Sequence, residues 1–150
     1  MINQFSRRVG MAARLAELVL GSIFVVAALA KFITPNQAMQ FISTILVQAQ
    51  SVTRELVYGV SAVELLLGIM FLVPGKHLPW ICVISSVLLL GFIVLQTVVP
   101  SGTSCGCFGK LMDFDDSRIN IVRNITLLCF SMFILWADEQ QKERTTTRVG

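Results

Sequence analysis

Charge is scarce in this chain. Only 14% of its 150 residues are Asp, Glu, Lys or Arg, where a soluble domain carries about 25%. That is too little to cover a water-exposed surface. The net charge of +3 is small, and the basic residues are scattered without aromatic residues between them, which argues against nucleic acid as a partner. Internal repeats and low-complexity tracts are missing, and histidine occurs once. What fills the space is apolar: 55% of the residues are hydrophobic and the mean hydropathy is +0.75. That composition belongs in a lipid bilayer.

The apolar residues concentrate in four runs, residues 15–32, 56–73, 80–99 and 119–136, followed by a polar tail over 138–150 that is expected to fray. A helix needs about 20 apolar residues to cross the hydrocarbon core, within a range of about 17–25. The sequence therefore predicts an all-α integral membrane protein, one domain over residues 1–150 built as a bundle of four transmembrane helices. The first run reaches that length only with Arg14 and Lys31 at its two ends. Arg7 and Arg8 ahead of an apolar core ending in Ala28-Leu29-Ala30 also fit a cleaved secretory leader. Three strong spans follow, however, and Glu17 inside the start of the run suits a retained helix better.

Between spans one and two, Met39, Ile42, Ile45, Leu46 and Ala49 recur at helical spacing. Pro35 and Asn36 form a start signal. This segment reads as a short amphipathic helix on the membrane surface or capping the bundle. The breaker-rich turn "VPGKHLP" makes spans two and three antiparallel neighbours and holds the single histidine, His77, as a solvated loop residue. An even number of spans puts both termini on one side. Arg7, Arg8, Arg14, Lys76, Lys142, Arg144 and Arg148 lie on that side, against Lys31, Arg54, Lys110, Arg118 and Arg123 opposite. The balance favours cytoplasmic termini in a bacterial inner membrane, with the turn over residues 102–110 in the periplasm.

Charges inside the spans stand out. A carboxylate at the depth of Glu64, in "SAVELLLG", costs about 2.5–3.5 kcal/mol on insertion scales and should face the bundle with a partner or a proton. Lys31 at the end of span one and Arg123 near the start of span four come from the same side, so a polar cluster forms beneath the turn. It is either an ion-pair cluster that fixes helix register or a polar pocket serving the thiols of that turn or a small bound molecule. Arg14 and Glu17, at i and i+3, make a local pair at the other end.

The turn itself reads "SGTSCGCFGK". In the oxidising periplasm, Cys105 and Cys107 favour disulfide chemistry. A Cys-X-Cys disulfide closes a very small ring, which suits exchange better than structure. Gly106 and Gly109 relax the backbone around Phe108, and Lys110 favours the attacking thiolate. An inert disulfide shaping the loop is the plainer alternative. A structural zinc site needs four ligands, and Cys82, Cys129 and His77 all lie out of reach of the turn, so no metal is expected. Cys82 and Cys129 read as small buried apolar residues.

Over residues 11–136 the chain resembles the MauE branch of the DoxX-like family of four-helix bacterial inner-membrane proteins. The resemblance rests on "GSIFVVAALAKFITPNQAMQFI", "VELLLGIMFLVPG", "CGCFG" and "VRNITLL". It implies a place in methylamine utilisation, helping to mature the disulfide-rich small subunit of methylamine dehydrogenase beside a thioredoxin-like periplasmic partner. It implies Cys105 and Cys107 as the redox pair, with Lys31, Glu64, Arg123 and Asn124 as motif positions. A membrane redox pair needs an electron sink, for which the resemblance permits a quinone between the helices. Two other functional classes stay open: a small proton-coupled carrier centred on Glu64, and a non-catalytic assembly factor that holds a client at the membrane.

Overall fold

The computed structural model describes residues 2–45, 50–73, 75, 78–98 and 117–149. Five helices account for nearly all of them: α1 (Ile2–Ile33), α2 (Asn36–Ile45), α3 (Gln50–Leu72), α4 (Leu78–Val98) and α5 (Ser117–Val149). Four carry segments long and apolar enough to cross a membrane, Val9–Ile33, Val52–Leu72, Leu78–Thr97 and Ile119–Gln140. The side chains are sorted for lipid. Large apolar residues such as Leu66, Val87 and Val122 face outward, whereas Ala16, Ala27, Ala28, Ala30, Ser61, Ser85, Ser131 and the buried charged groups face inward. Water gives helices no hydrophobic drive to associate inside a bilayer, so they associate through close packing and polar contacts. Both devices are present.

Close packing joins α1 to α3, which run antiparallel. A Cβ placed on Gly21 would lie 2.9 Å from the Gly68 carbonyl oxygen, and one on Gly68 would lie 2.9 Å from that of Gly21. The two backbones touch because neither residue has a side chain there. Phe24 and Phe71 stack beside this point with ring centroids 6.3 Å apart, and Phe32 stacks on Tyr58 at 5.8 Å towards the other end of the pair. Polar contacts join α4 to α5. Ser131 Oγ lies 3.1 Å from Ser85 Oγ, accepts from Ser86 Oγ at 3.0 Å and lies 3.1 Å from the Cys82 carbonyl oxygen. The two pairs join along α1 and α5, where Ala16, Leu20, Phe24, Leu127 and Ile134 form the core with Leu67, Phe71 and Leu89.

The α1 helix stops at Thr34, whose backbone N–H and side-chain hydroxyl both donate to the Ala30 carbonyl, at 2.9 and 3.0 Å. Pro35 follows and α2 begins, Met39 donating back to the Pro35 carbonyl. The short helix expected between spans one and two is there, but its buried face is not the expected one. Ala38 and Phe41 are buried and Met39 and Ile42 only half-buried, because α2 lies against α3 with the phenylalanine inward. Leu46 and Ala49 lie outside the described residues, as does His77. The polar tail is helical through residue 149, α5 continuing through the strong helix formers of "ADEQQKER" and an Asp138–Lys142 ion pair at i and i+4.

The glycine contact makes a direct prediction. Gly68→Val should lower the melting temperature of the purified protein through about 1–3 kcal/mol of overpacking against the α1 backbone. Gly59→Ala and Gly91→Ala, where nothing lies within 4 Å of the added carbon, should be neutral or slightly stabilising. A thermal-shift assay in detergent reads both; equal melting temperatures for all three variants would contradict the contact.

Candidate functional site

The α1–α3 register can be read from two contacts, Gly21 on Gly68 and Phe32 on Tyr58. It sets Lys31 level with the backbone near Gly59, so Glu64 lies five residues further along α3, about 8 Å at 1.5 Å per residue. Side chains bridge that distance. In a helix each Cα–Cβ bond tilts towards its own N-terminus, so in an antiparallel pair Lys31 and Glu64 lean towards each other. The Lys31 ammonium reaches both carboxylate oxygens of Glu64, and the two side chains are only 4% and 3% exposed. Of the two cations expected to meet Glu64, Lys31 is the one that hydrogen-bonds it.

Helices α4 and α5 complete the surroundings. The Lys31 ammonium sits 5.2 Å from the centroid of the Phe92 ring, a cation–π distance. Asn124 faces the Glu64 side across a small space, and its amide lies 3.5 Å from the Gln96 side-chain oxygen, a long contact. Asn120, one turn before Asn124, is buried on the same face, and the stripe continues through Leu127, Ser131 and Ile134 at helical spacing. Arg123 is half-buried and close enough for its charge to act on both Lys31 and Glu64. Lys31, Glu64, Arg123 and Asn124 are thus brought together at one end of the bundle.

Cys105, Gly106, Cys107, Phe108 and Gly109 lie outside the described residues. The helices on either side of them are described: α4 ends at Val98, two residues after buried Gln96, and α5 begins at Ser117, three before buried Asn120. Sequence reasoning missed Phe92, Gln96 and Asn120. Gln96 had a signal, as the lone amide in the apolar run "LLLGFIVLQTVV", and Asn120 had one in its i, i+4 spacing to Asn124. Phe92 had none, since one more apolar residue in a span carries no mark. The remaining cysteines separate. Cys82 is buried, as expected, but Cys129 is exposed, because it points away from the Leu127–Ser131–Ile134 face and towards lipid. At the opposite end Arg14 pairs with Glu17 as expected.

The space beside Glu64 has a volume of about 20 Å³, lined by Phe24, Leu89, Phe92, Asn124 and Leu127 among others. One water needs about 10–15 Å³ and two or more polar partners, whereas a dry cavity that holds benzene measures about 150 Å³. Glu64 and Asn124 could partner a single water there. A quinone ring is larger than this space.

A buried ion pair that loses one member leaves a charge uncompensated, at about 3–5 kcal/mol, whereas replacing both members with apolar residues is often neutral. Glu64→Ala should therefore sharply lower the folded yield in membranes, and Glu64→Gln should lower it less. Lys31→Met combined with Glu64→Leu should recover most of the loss. Fluorescence-detected size-exclusion chromatography measures all three, and a double variant worse than either single change would refute the coupling.

The comparisons with known proteins bear on the same residues. The family model described as "Methylamine utilisation protein MauE" matches residues 9–137, which take in every helix of the bundle and the polar cluster. No curated protein and no solved structure matches the chain. With most of its length matched and four apolar helices for a membrane, the chain belongs to the MauE family, multi-pass membrane proteins of methylamine utilisation.

Proposed function

We propose that this protein is a membrane thiol–disulfide component that exchanges electrons with a thioredoxin-like partner in the periplasm, with Cys105 and Cys107 as its redox pair. The observation that carries the reading is the position of the polar cluster. The helix that leads into the "CGCFG" segment ends two residues after buried Gln96, and the helix that leads out of it begins three residues before buried Asn120, at the end of the bundle that holds the buried Lys31–Glu64 ion pair. A bundle end pinned in this way gives a short dithiol segment a fixed base at the membrane surface. The orientation proposed with it has both termini in the cytoplasm of a bacterial inner membrane. A wider kinship with DoxX-like proteins and a client of the methylamine dehydrogenase type are part of the same reading.

The exchange balances without a further reactant. In the direction that oxidises this chain, the Cys107 thiolate attacks one sulfur of the partner's disulfide, forming a mixed disulfide and releasing the partner's other sulfur as a thiolate. The Cys105 thiolate then attacks Cys107, closing the intramolecular disulfide and freeing the second partner thiol. Two electrons pass to the partner, and the reverse sequence returns them. We assign the first attack to Cys107 because it lies nearer Lys110. The carrier reading centred on Glu64 gains no support, since that carboxylate is held by Lys31 beside a space of about 20 Å³.

Removing the resolving cysteine traps the intermediate. Cys105→Ala should accumulate a heavier, reducible band containing a thioredoxin-like protein on non-reducing gels after acid quenching, and Cys107→Ala should not. If neither variant traps a partner and the parent thiols keep one state at every redox poise, the segment is a structural turn and the assembly-factor reading replaces this one. Reporter fusions at Gly150 and within residues 102–110 test the orientation separately. A periplasmic C-terminus would put the thiols in the reducing cytoplasm and defeat the proposal.

A further inference from the structure

At the end of the bundle away from the Lys31–Glu64 pair, α1, α3, α4 and α5 surround a half-open cavity of about 230 Å³. Its walls differ in character. Met70, Val73, Leu78, Ile81 and Ile134 are apolar, while Arg14, Glu17 and Asp138 are charged. The charges are ordered by burial. In the Arg14–Glu17 pair the arginine side chain is 38% exposed and the glutamate 8%, and in the Asp138–Lys142 pair the lysine is 62% exposed and the aspartate 21%. In each pair the carboxylate is the more buried member and the cation the more exposed. Its lining residues lie within eight residues of the span ends at Val9, Leu72, Leu78 and Gln140, which is about 12 Å along a helix at the deepest. Gly10, Val73, Gly75 and Leu78, at or next to the span ends, put its mouth at the boundary between headgroups and hydrocarbon.

We propose that this cavity binds the headgroup of a membrane lipid that carries both a phosphate and a primary ammonium. The apolar wall takes the start of the acyl chains. The Arg14 guanidinium, whose planar fork of donors matches phosphate oxygens, takes the phosphate, with Lys142 nearby. Glu17 and Asp138 accept hydrogen bonds from the ammonium. A quaternary ammonium fits poorly, because it has no N–H to donate and is recognised by aromatic cages, and no aromatic side chain is among the described lining residues. A purely anionic headgroup fits less well, since it offers no N–H to the two carboxylates among the described lining residues. The apolar wall and the opening at lipid depth set the source as a lipid, where a soluble zwitterion of the same chemistry would leave the wall uncovered.

Native mass spectrometry of the full chain, released from micelles containing phosphatidylethanolamine, phosphatidylcholine or phosphatidylglycerol with identical acyl chains, tests this. Phosphatidylethanolamine should be retained about tenfold more strongly than phosphatidylcholine, the effect of one or more charge-assisted hydrogen bonds. Glu17→Gln and Asp138→Asn should bring the first down to the second, while Arg14→Gln should weaken both. Should Glu17→Gln fail to fold, Asp138→Asn, the more exposed position, decides alone. Equal retention of all three lipids, a preference for phosphatidylglycerol, or an Asp138→Asn variant that still selects phosphatidylethanolamine would overturn the proposal. Competition by free phosphoethanolamine at matching concentration would overturn the lipid as its source.

Discussion

A lysine and a glutamate that have left water together are the constraint on which this bundle turns. Either ion alone would be expelled from the hydrocarbon or neutralised, so Lys31 and Glu64 can enter only where the other is within reach. That requirement fixes the slide of α1 along α3 to within a few ångströms. It also needs the helices close together, and Gly21 on Gly68 supplies the closeness. The glycines and the ion pair are therefore one device: the first sets how near the helices come, the second how far one slides past the other.

With α1 and α3 locked, the rest of the polar chemistry is distributed by depth. Gln96, Asn120, Asn124 and Arg123 gather with the ion pair at one end, while Arg14, Glu17 and Asp138 gather at the other. Between the two ends Leu20, Phe24, Leu89 and Leu127 are packed to near-complete burial, and the serines that sew α4 to α5 spend their hydrogen bonds on each other and on the Cys82 carbonyl. The described residues thus form two polar compartments with an apolar band between them. Chemistry at the ion-pair end would draw its protons from that side of the membrane.

Much of this was legible in the chain. Four runs of near-span length, a proline-led helix between the first two, and a carboxylate that could only be tolerated next to a cation were enough for the architecture and for the cluster of Lys31, Glu64 and Arg123. What escaped notice was of two kinds. The α2 face and Cys129 went wrong because spacing along a helix says which residues share a face but not which face meets a neighbour. Phe92 and the serine network went unseen because a phenylalanine or serine among apolar residues looks alike whether it faces lipid or a partner helix. The charges were readable for the opposite reason: inside a membrane they have so few permitted positions that their sequence numbers nearly determine their partners.

The small space beside Glu64 narrows how electrons could leave the protein in the proposed role. A redox pair that is used repeatedly must be reset, either by a cofactor seated within tunnelling or contact distance or by a second thiol protein. The space lined by Glu64, Phe92 and Asn124 has room for about one water. On the proposed reading, resetting Cys105 and Cys107 needs no group besides thiols when it follows the route by which they would be used, disulfide exchange with soluble partners at the membrane surface. On that reading the four helices contribute no electron path of their own. They hold a dithiol at a fixed height, and the direction of flow belongs to whichever partner has the stronger claim on two electrons.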